Sequence, residues 1–123
     1  MMNFSDLQLD AQLLNAVERL GFEEPTEIQA QAIPHILSTT QDLIALAQTG
    51  TGKTGAFSLP CLQKIDIENS LPQLLILAPT RELALQIARD VKKFSKFKRG
   101  LKSVAVYGGA DVHTQARALK NGC

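Results

Sequence analysis

The stretch Ala47-Gln48-Thr49-Gly50-Thr51-Gly52-Lys53-Thr54 limits what this chain can fold into more than any other segment. A short apolar run, Leu43 to Ala47, leads into it, and a helix is expected to leave it from Lys53 to about Ile65. Apolar strand, glycine-containing loop and helix, in that order, are the setting in which a loop binds phosphate. Glycines at 50 and 52 let the backbone aim successive N–H groups inward, and the helix N-terminus adds partial positive charge. Lys53 would bring a mobile ammonium to the outer phosphates, and the Thr54 hydroxyl would ligate a magnesium ion bound to them. Ala47 stands where the GxxxxGK[ST] pattern begins with glycine, so the strict pattern is not met. The alternative is a glycine-rich turn with an incidental lysine. Because strand, Gly-x-Gly-Lys-Thr and helix coincide, the reading is nucleoside triphosphate binding.

The rest of the chain repeats the same alternation. Leu9, Leu13, Val17 and Leu20 lie on one side of a helix that ends at Gly21, and Pro25-Thr26-Glu27 opens a second helix carrying Ile28, Ala32 and Ile36. Leu74 to Ala78 is a second apolar run, stopped by Pro79, after a surface connection from Asp66 to Gln73. Leu83, Ile87, Val91 and Phe94 mark a long amphipathic helix. Ser103 to Tyr107 reads as a third strand closed by Gly108-Gly109, and Asp111 caps a last helix that Asn121-Gly122 terminates. Strand and helix in alternation predict an α/β fold, a partial parallel sheet with helices on both faces. Residues 1–38 form the leading helices and 42–123 the core of an incomplete domain.

Composition excludes several classes. With 45% hydrophobic and 20% charged residues the chain is neither disordered nor, given its short apolar runs, membrane-spanning. Met1 to Asp6 has no basic or apolar leader, so a cytoplasmic location is the default expectation. Cys61 and Cys123 lack metal-binding spacing, and His35 and His113 are isolated, which argues against a disulfide framework or a zinc site. Net charge is +1, but residues 1–42 hold seven acids against one base, −6, while residues 81–102 hold eight bases against two acids, +6. Such a split can present a polyanion with one basic surface, or simply solvate a helix face.

Two further features stand at element starts. Thr26 and Gln29, within Gly21-Phe22-Glu23-Glu24-Pro25-Thr26-Glu27-Ile28-Gln29, have the spacing of a capping box. A glutamine amide can equally make two hydrogen bonds to the N6/N7 edge of adenine. Pro79-Thr80-Arg81-Glu82-Leu83-Ala84 follows the second apolar run, at the edge where open α/β sheets bind ligands. Thr80 can cap the helix there, or its hydroxyl, free amides and Arg81 can hold a nucleic-acid phosphate. Gly108-Gly109 stands at the same edge and would allow close backbone approach to a polymer.

Taken in order, these segments resemble the N-terminal part of a DEAD-box ATP-dependent RNA helicase. Gly21 to Gln29 is similar to that family's Q motif, with Phe4 placed upstream where the family has an isolated aromatic. Ala47 to Thr54 matches its AxxGxGKT phosphate loop, Pro79 to Ala84 its motif Ia, and Gly108-Gly109 the glycine pair that follows. The resemblance implies a RecA-like P-loop domain with ATP and Mg2+ as cofactors and RNA as partner. By that likeness Phe4 stacks on adenine and Gln29 reads its edge, with Phe22, Thr26, Gln48, Thr49, Gly50, Thr51 and Gly52 completing the nucleotide site. Lys53 and Thr54 hold phosphates and metal, and Pro79, Thr80, Arg81, Gly108 and Gly109 contact the RNA backbone.

Neither Asp-Glu-Ala-Asp, Ser-Ala-Thr nor Thr-Pro-Gly-Arg occurs in the sequence. In the family those groups and a second domain complete hydrolysis and duplex separation. The expectation is therefore a truncated helicase domain that binds ATP or ADP and RNA without hydrolysis and that, lacking later strands, self-associates, rearranges its sheet or is only marginally stable. Rival readings are a non-catalytic adenine-nucleotide or RNA-binding module and another P-loop enzyme such as a small kinase.

Overall fold

Helix-forming stretches settle where local sequence directs them. The computed structural model describes residues Met1–Cys123. A short 3-10 helix, Phe4–Leu7, precedes α1 (Ala11–Arg19), α2 (Glu27–Ser38), α3 (Lys53–Gln63), α4 (Arg81–Phe94) and α5 (Val112–Lys120). Each α-helix start except that of α3 is held by a side chain. The Asp10 carboxylate accepts from Leu13 N, the Thr26 hydroxyl from Gln29 N, the Thr80 hydroxyl from Leu83 N, and the Asp111 carboxylate from His113 N and Thr114 N. These caps satisfy amides that have no partner within the helix. Gly21 takes φ +77° after α1 and Gly122 φ +97° after α5, the left-handed turn that ends a helix.

The apolar stripes meet in one core. Leu13 and Val17 of α1, Ile33 of α2, Leu59 and Leu62 of α3, and Ile87, Val91 and Phe94 of α4 are buried together with Phe4, Leu7 and Leu9. The closest packing is between α2 and α3, which brings the start of α2 beside the loop that precedes α3. At the other side of the core Phe4 stacks on Phe22, centroids 6.4 Å apart at 25°, and Phe22 meets Phe94 at the same distance and 58°. No helix is long and apolar enough to cross a membrane.

The expected sheet is absent, which corrects the α/β assignment: the regular structure is entirely helical. Leu43 to Ala47, Leu74 to Ala78 and Ser103 to Tyr107 carry no strand, and no backbone hydrogen bond to another main chain is made by any of them. A strand exists only when its N–H and C=O groups pair with a neighbour about 4.8 Å away. Continuous apolarity was the signal for strands covered on both faces, yet residues 43–46 are exposed throughout, and in residues 74–78 only alternate side chains are covered. Ile76 and Ala78 pack against the core, whereas Leu75 and Leu77 are 80% and 84% exposed and Ile44 and Leu46 about 90%. Between residues 74–78, residues 103–106 and α4 lies a cavity of about 820 Å³ with mostly apolar walls.

Candidate functional site

The loop before α3 is shaped by glycine. Gly50 has φ +76° and Gly52 φ +84°, conformations that cost a side-chain-bearing residue about 1–2 kcal/mol. Gly52 caps α3 with no side chain, and the first helical bond runs from Ala56 N to Gly52 O at 3.0 Å. The amides of Lys53, Thr54 and Gly55 precede that bond and point out of the helix end, as an anion requires. The Thr51 hydroxyl donates to Gln48 O and closes the loop behind them. Lys53 is exposed and makes no hydrogen bond to the protein, while Thr54 is half-buried. The arrangement fits a phosphate chain. For a metal ion the fit is narrower: no group of three or more His, Cys, Asp or Glu side chains could hold one, and from this loop the half-buried Thr54 hydroxyl at the helix start would be a single ligand.

Gln29 connects this loop to α2. Its Oε1 accepts from Thr26 N at 3.0 Å, the return arm of the capping box, and its Nε2 donates to Gly52 O at 3.1 Å. The side chain is 4% exposed. Gly52 and Gly55 make room for it, since a Cβ at Gly52 would stand 2.5 Å from Nε2 and one at Gly55 2.9 Å. An amide has two N–H groups and two acceptor lone pairs. One N–H and one lone pair of Gln29 therefore remain for another partner.

Of the two aromatic candidates, Phe4 is 5% exposed and lies in the core, whereas Phe22 is 41% exposed. Only Phe22 offers free ring surface in this conformation.

A second cluster forms around the start of α4. Thr80 caps the helix, its hydroxyl accepting from Leu83 N at 3.2 Å, and Pro79 and Thr80 are exposed. The Arg81 guanidinium lies against Gly109: a Cβ there would be 2.7 Å from Nη2. Its Cζ is also 6.0 Å from the Tyr107 ring centroid. Gly109 has φ +86°, and a Cβ on Gly108 would meet open space. The side chain of Gln115 holds the Tyr107 backbone at both ends, Tyr107 N donating to Oε1 at 3.0 Å and Nε2 donating to Tyr107 O at 3.1 Å. Sequence reasoning paired neither Arg81 with Gly109 nor Gln29 with Gly52, and Gln115 was not singled out at all. The Gly52, Gly55 spacing, which bares one side of a helix start, was the available signal for Gln29.

Comparison with known proteins gives consistent matches. A family model described as DEAD/DEAH box helicase matches residues 26–123. The ATP-dependent RNA helicase DeaD of Escherichia coli (strain K12) is 53% identical over 119 residues, 97% of this chain and 19% of that protein. CshA, a DEAD-box ATP-dependent RNA helicase of Geobacillus kaustophilus, is 47% identical over 120 residues, 98% of this chain and 25% of that protein. Among solved structures, the RNA helicase Prp28 from Chaetomium thermophilum bound to ADP is similar with TM-score 0.86 and 45% identity, over 99% of this chain and 30% of that one. Dbp5 of S. cerevisiae bound to RNA and ADP BeF3 has TM-score 0.81 at 34% identity, over 91% and 30%. The chain thus spans only a fifth to a quarter of the curated relatives' length.

Proposed function

The chain belongs to the DEAD/DEAH box helicase family, and from that premise we propose that it is the nucleotide- and RNA-contacting beginning of a cytoplasmic ATP-dependent RNA helicase. The observation that carries the proposal is the Gln29 bridge, which fastens a candidate base-reading amide to the carbonyl that caps the phosphate-binding helix. Lys53 neutralises outer phosphates, Thr54 ligates Mg2+, and the free α3 amides hold oxygen atoms that Gly50 and Gly52 leave accessible. Gln29 presents its remaining N–H and lone pair to adenine, and the exposed ring of Phe22 offers surface for stacking. Thr80, Arg81, Gly108 and Gly109 hold the RNA backbone. Bound Mg2+ would offset phosphate charge.

Hydrolysis needs further groups to orient water and stabilise the transferring phosphoryl. No Asp-Glu-Ala-Asp lies within these residues, so the 123-residue chain binds without turning over. Self-association is expected too, because the apolar side chains around residues 74–78 and 103–106 are uncovered; sedimentation at several concentrations tests it, and a monomer throughout would refute it.

Calorimetric titration with ADP and GDP tests the nucleotide site. ADP should bind more tightly, and Lys53→Ala should weaken both. Equal affinities would remove Gln29 as a base reader, and an unaffected Lys53→Ala variant would remove the loop.

A further inference from the structure

Between Val91 and Ala110 the chain carries six cations, Lys92, Lys93, Lys96, Lys98, Arg99 and Lys102, and no acid. Two of them are engaged within the fold. Lys98 Nζ donates to Leu62 O at 2.7 Å and Gln63 O at 3.2 Å, at the end of α3, and Lys102 Nζ donates to Asn121 O at 2.9 Å, at the end of α5. Lys92, Lys93, Lys96 and Arg99 are exposed, and none of their side chains donates a hydrogen bond to the protein. A helix C-terminus attracts cations within its last turn. That accounts for Lys92 and Lys93 but not for Lys96 and Arg99, which lie beyond the end of α4.

Lys92, Lys96 and Arg99 border a shallow depression of about 490 Å³ whose walls carry no carboxylate. Arg19 of α1 lies over the Phe97 ring at 6.0 Å and Lys96 over the same ring at 5.7 Å, so a second element brings a cation to the ring that Lys96 also covers. Small-molecule sites enclose most of their ligand, and this open basin instead suits a charged polymer. Its place on α4 matters as well. Arg81 opens the helix and Lys92 follows about three turns later, ~16 Å along the axis and on nearly the same side.

We infer that this basic basin is a second phosphate-contact surface for duplex RNA, reached by a helix that runs along α4 from Arg81. The inference rests on the reading of Arg81 as an RNA contact and extends it to the opposite end of the helix. Neutralised phosphates release counterions, so each contact contributes about 0.7–0.9 to the slope of log affinity against log salt.

The test measures binding of a fluorescent RNA duplex of about 20 base pairs by anisotropy across a potassium chloride series, with the 123-residue chain. The Lys92→Gln, Lys96→Gln, Arg99→Gln triple variant should lower the salt slope by about two to three, and a variant with arginine at 92 and 96 should keep it. An unchanged slope in the triple variant overturns the basin while leaving Arg81 standing if Arg81→Gln still weakens binding. Loss of slope in the triple variant with Arg81→Gln unaffected overturns the path along α4, since the basin would then bind RNA without the Arg81 contact on which the inference rests. Binding of polyglutamate in preference to the duplex would also overturn the proposal, since the basin would then be a surface for acidic protein.

Discussion

Replacing Gln29 by alanine isolates the bridge between α2 and the phosphate loop. Two hydrogen bonds disappear, Thr26 N to Oε1 at 3.0 Å and Nε2 to Gly52 O at 3.1 Å. Neither leaves a stranded group: Thr26 is exposed, so its amide finds water, and Gly52 O still accepts from Ala56 N at 3.0 Å. The loss is thus two net bonds at about 1 kcal/mol each, plus about 0.8 kcal/mol for the methylene removed from a buried side chain. A destabilisation of ~2–3 kcal/mol follows. Thr26→Ala removes only a long capping bond of 3.4 Å and should cost about 0.5–1 kcal/mol. Urea unfolding followed by helical circular dichroism separates the two. At a slope of about 1.5 kcal/mol/M the midpoint should fall by ~1.5–2 M for Gln29→Ala and by under ~0.7 M for Thr26→Ala. Gln29→Glu keeps the acceptor for Thr26 N but sets a carboxylate against the Gly52 carbonyl, so it should lose at least the Gly52 share. Equal midpoint shifts for Gln29→Ala and Thr26→Ala would show that the bond to Gly52 contributes nothing, and the argument for a coupled site would fail.

Gly109→Ala should weaken RNA binding by displacing the Arg81 guanidinium, which a Cβ would meet at 2.7 Å, and should cost about 1–2 kcal/mol for the left-handed φ; an unchanged RNA affinity would refute the pairing. The Asp111 carboxyl is held below its ordinary value of 3.8, first by the Thr114 hydroxyl and then by the Thr114 and His113 amides. A depressed folded value means that the cap is fully formed above pH 3.8 and is lost as pH falls through that lower value; an NMR titration of the Thr114 amide with a midpoint above 3.8 would contradict it. Burial raises the Cys61 thiol above its ordinary 9.0 against a smaller opposing effect of Lys64. Its alkylation by iodoacetamide should therefore still be accelerating above pH 9, and a plateau below that pH would rule the burial effect out.

What the sequence made legible follows the range of the interactions. All five α-helices stand where apolar spacing and capping residues put them, because a helix closes its bonds within four residues. The Thr26–Gln29 box was readable for the same reason. Leu74 to Ala78 shows the opposite case. Its composition says which side chains favour burial, but a strand also needs a backbone neighbour, and no local signal reports whether one is present. The Gln29–Gly52 bond joins residues 23 positions apart, so it too lay beyond a reading of local spacing. Phe4 illustrates a third limit: an aromatic suited to stacking on a base is equally suited to stacking on Phe22.

The aromatic stack of Phe4, Phe22 and Phe94 also sets a timetable for synthesis. Phe22 meets rings that lie before it and far after it in the chain. A ribosome adding about 5–20 residues per second needs roughly 4–14 s to proceed from Phe22 to Phe94. Throughout that interval the first two rings, with Leu13 and Val17 of α1, have no α4 to cover them. Nascent chains of this protein thus emerge with a greasy N-terminal segment waiting for its far-off partner, a window in which a chaperone at the tunnel exit has something to hold.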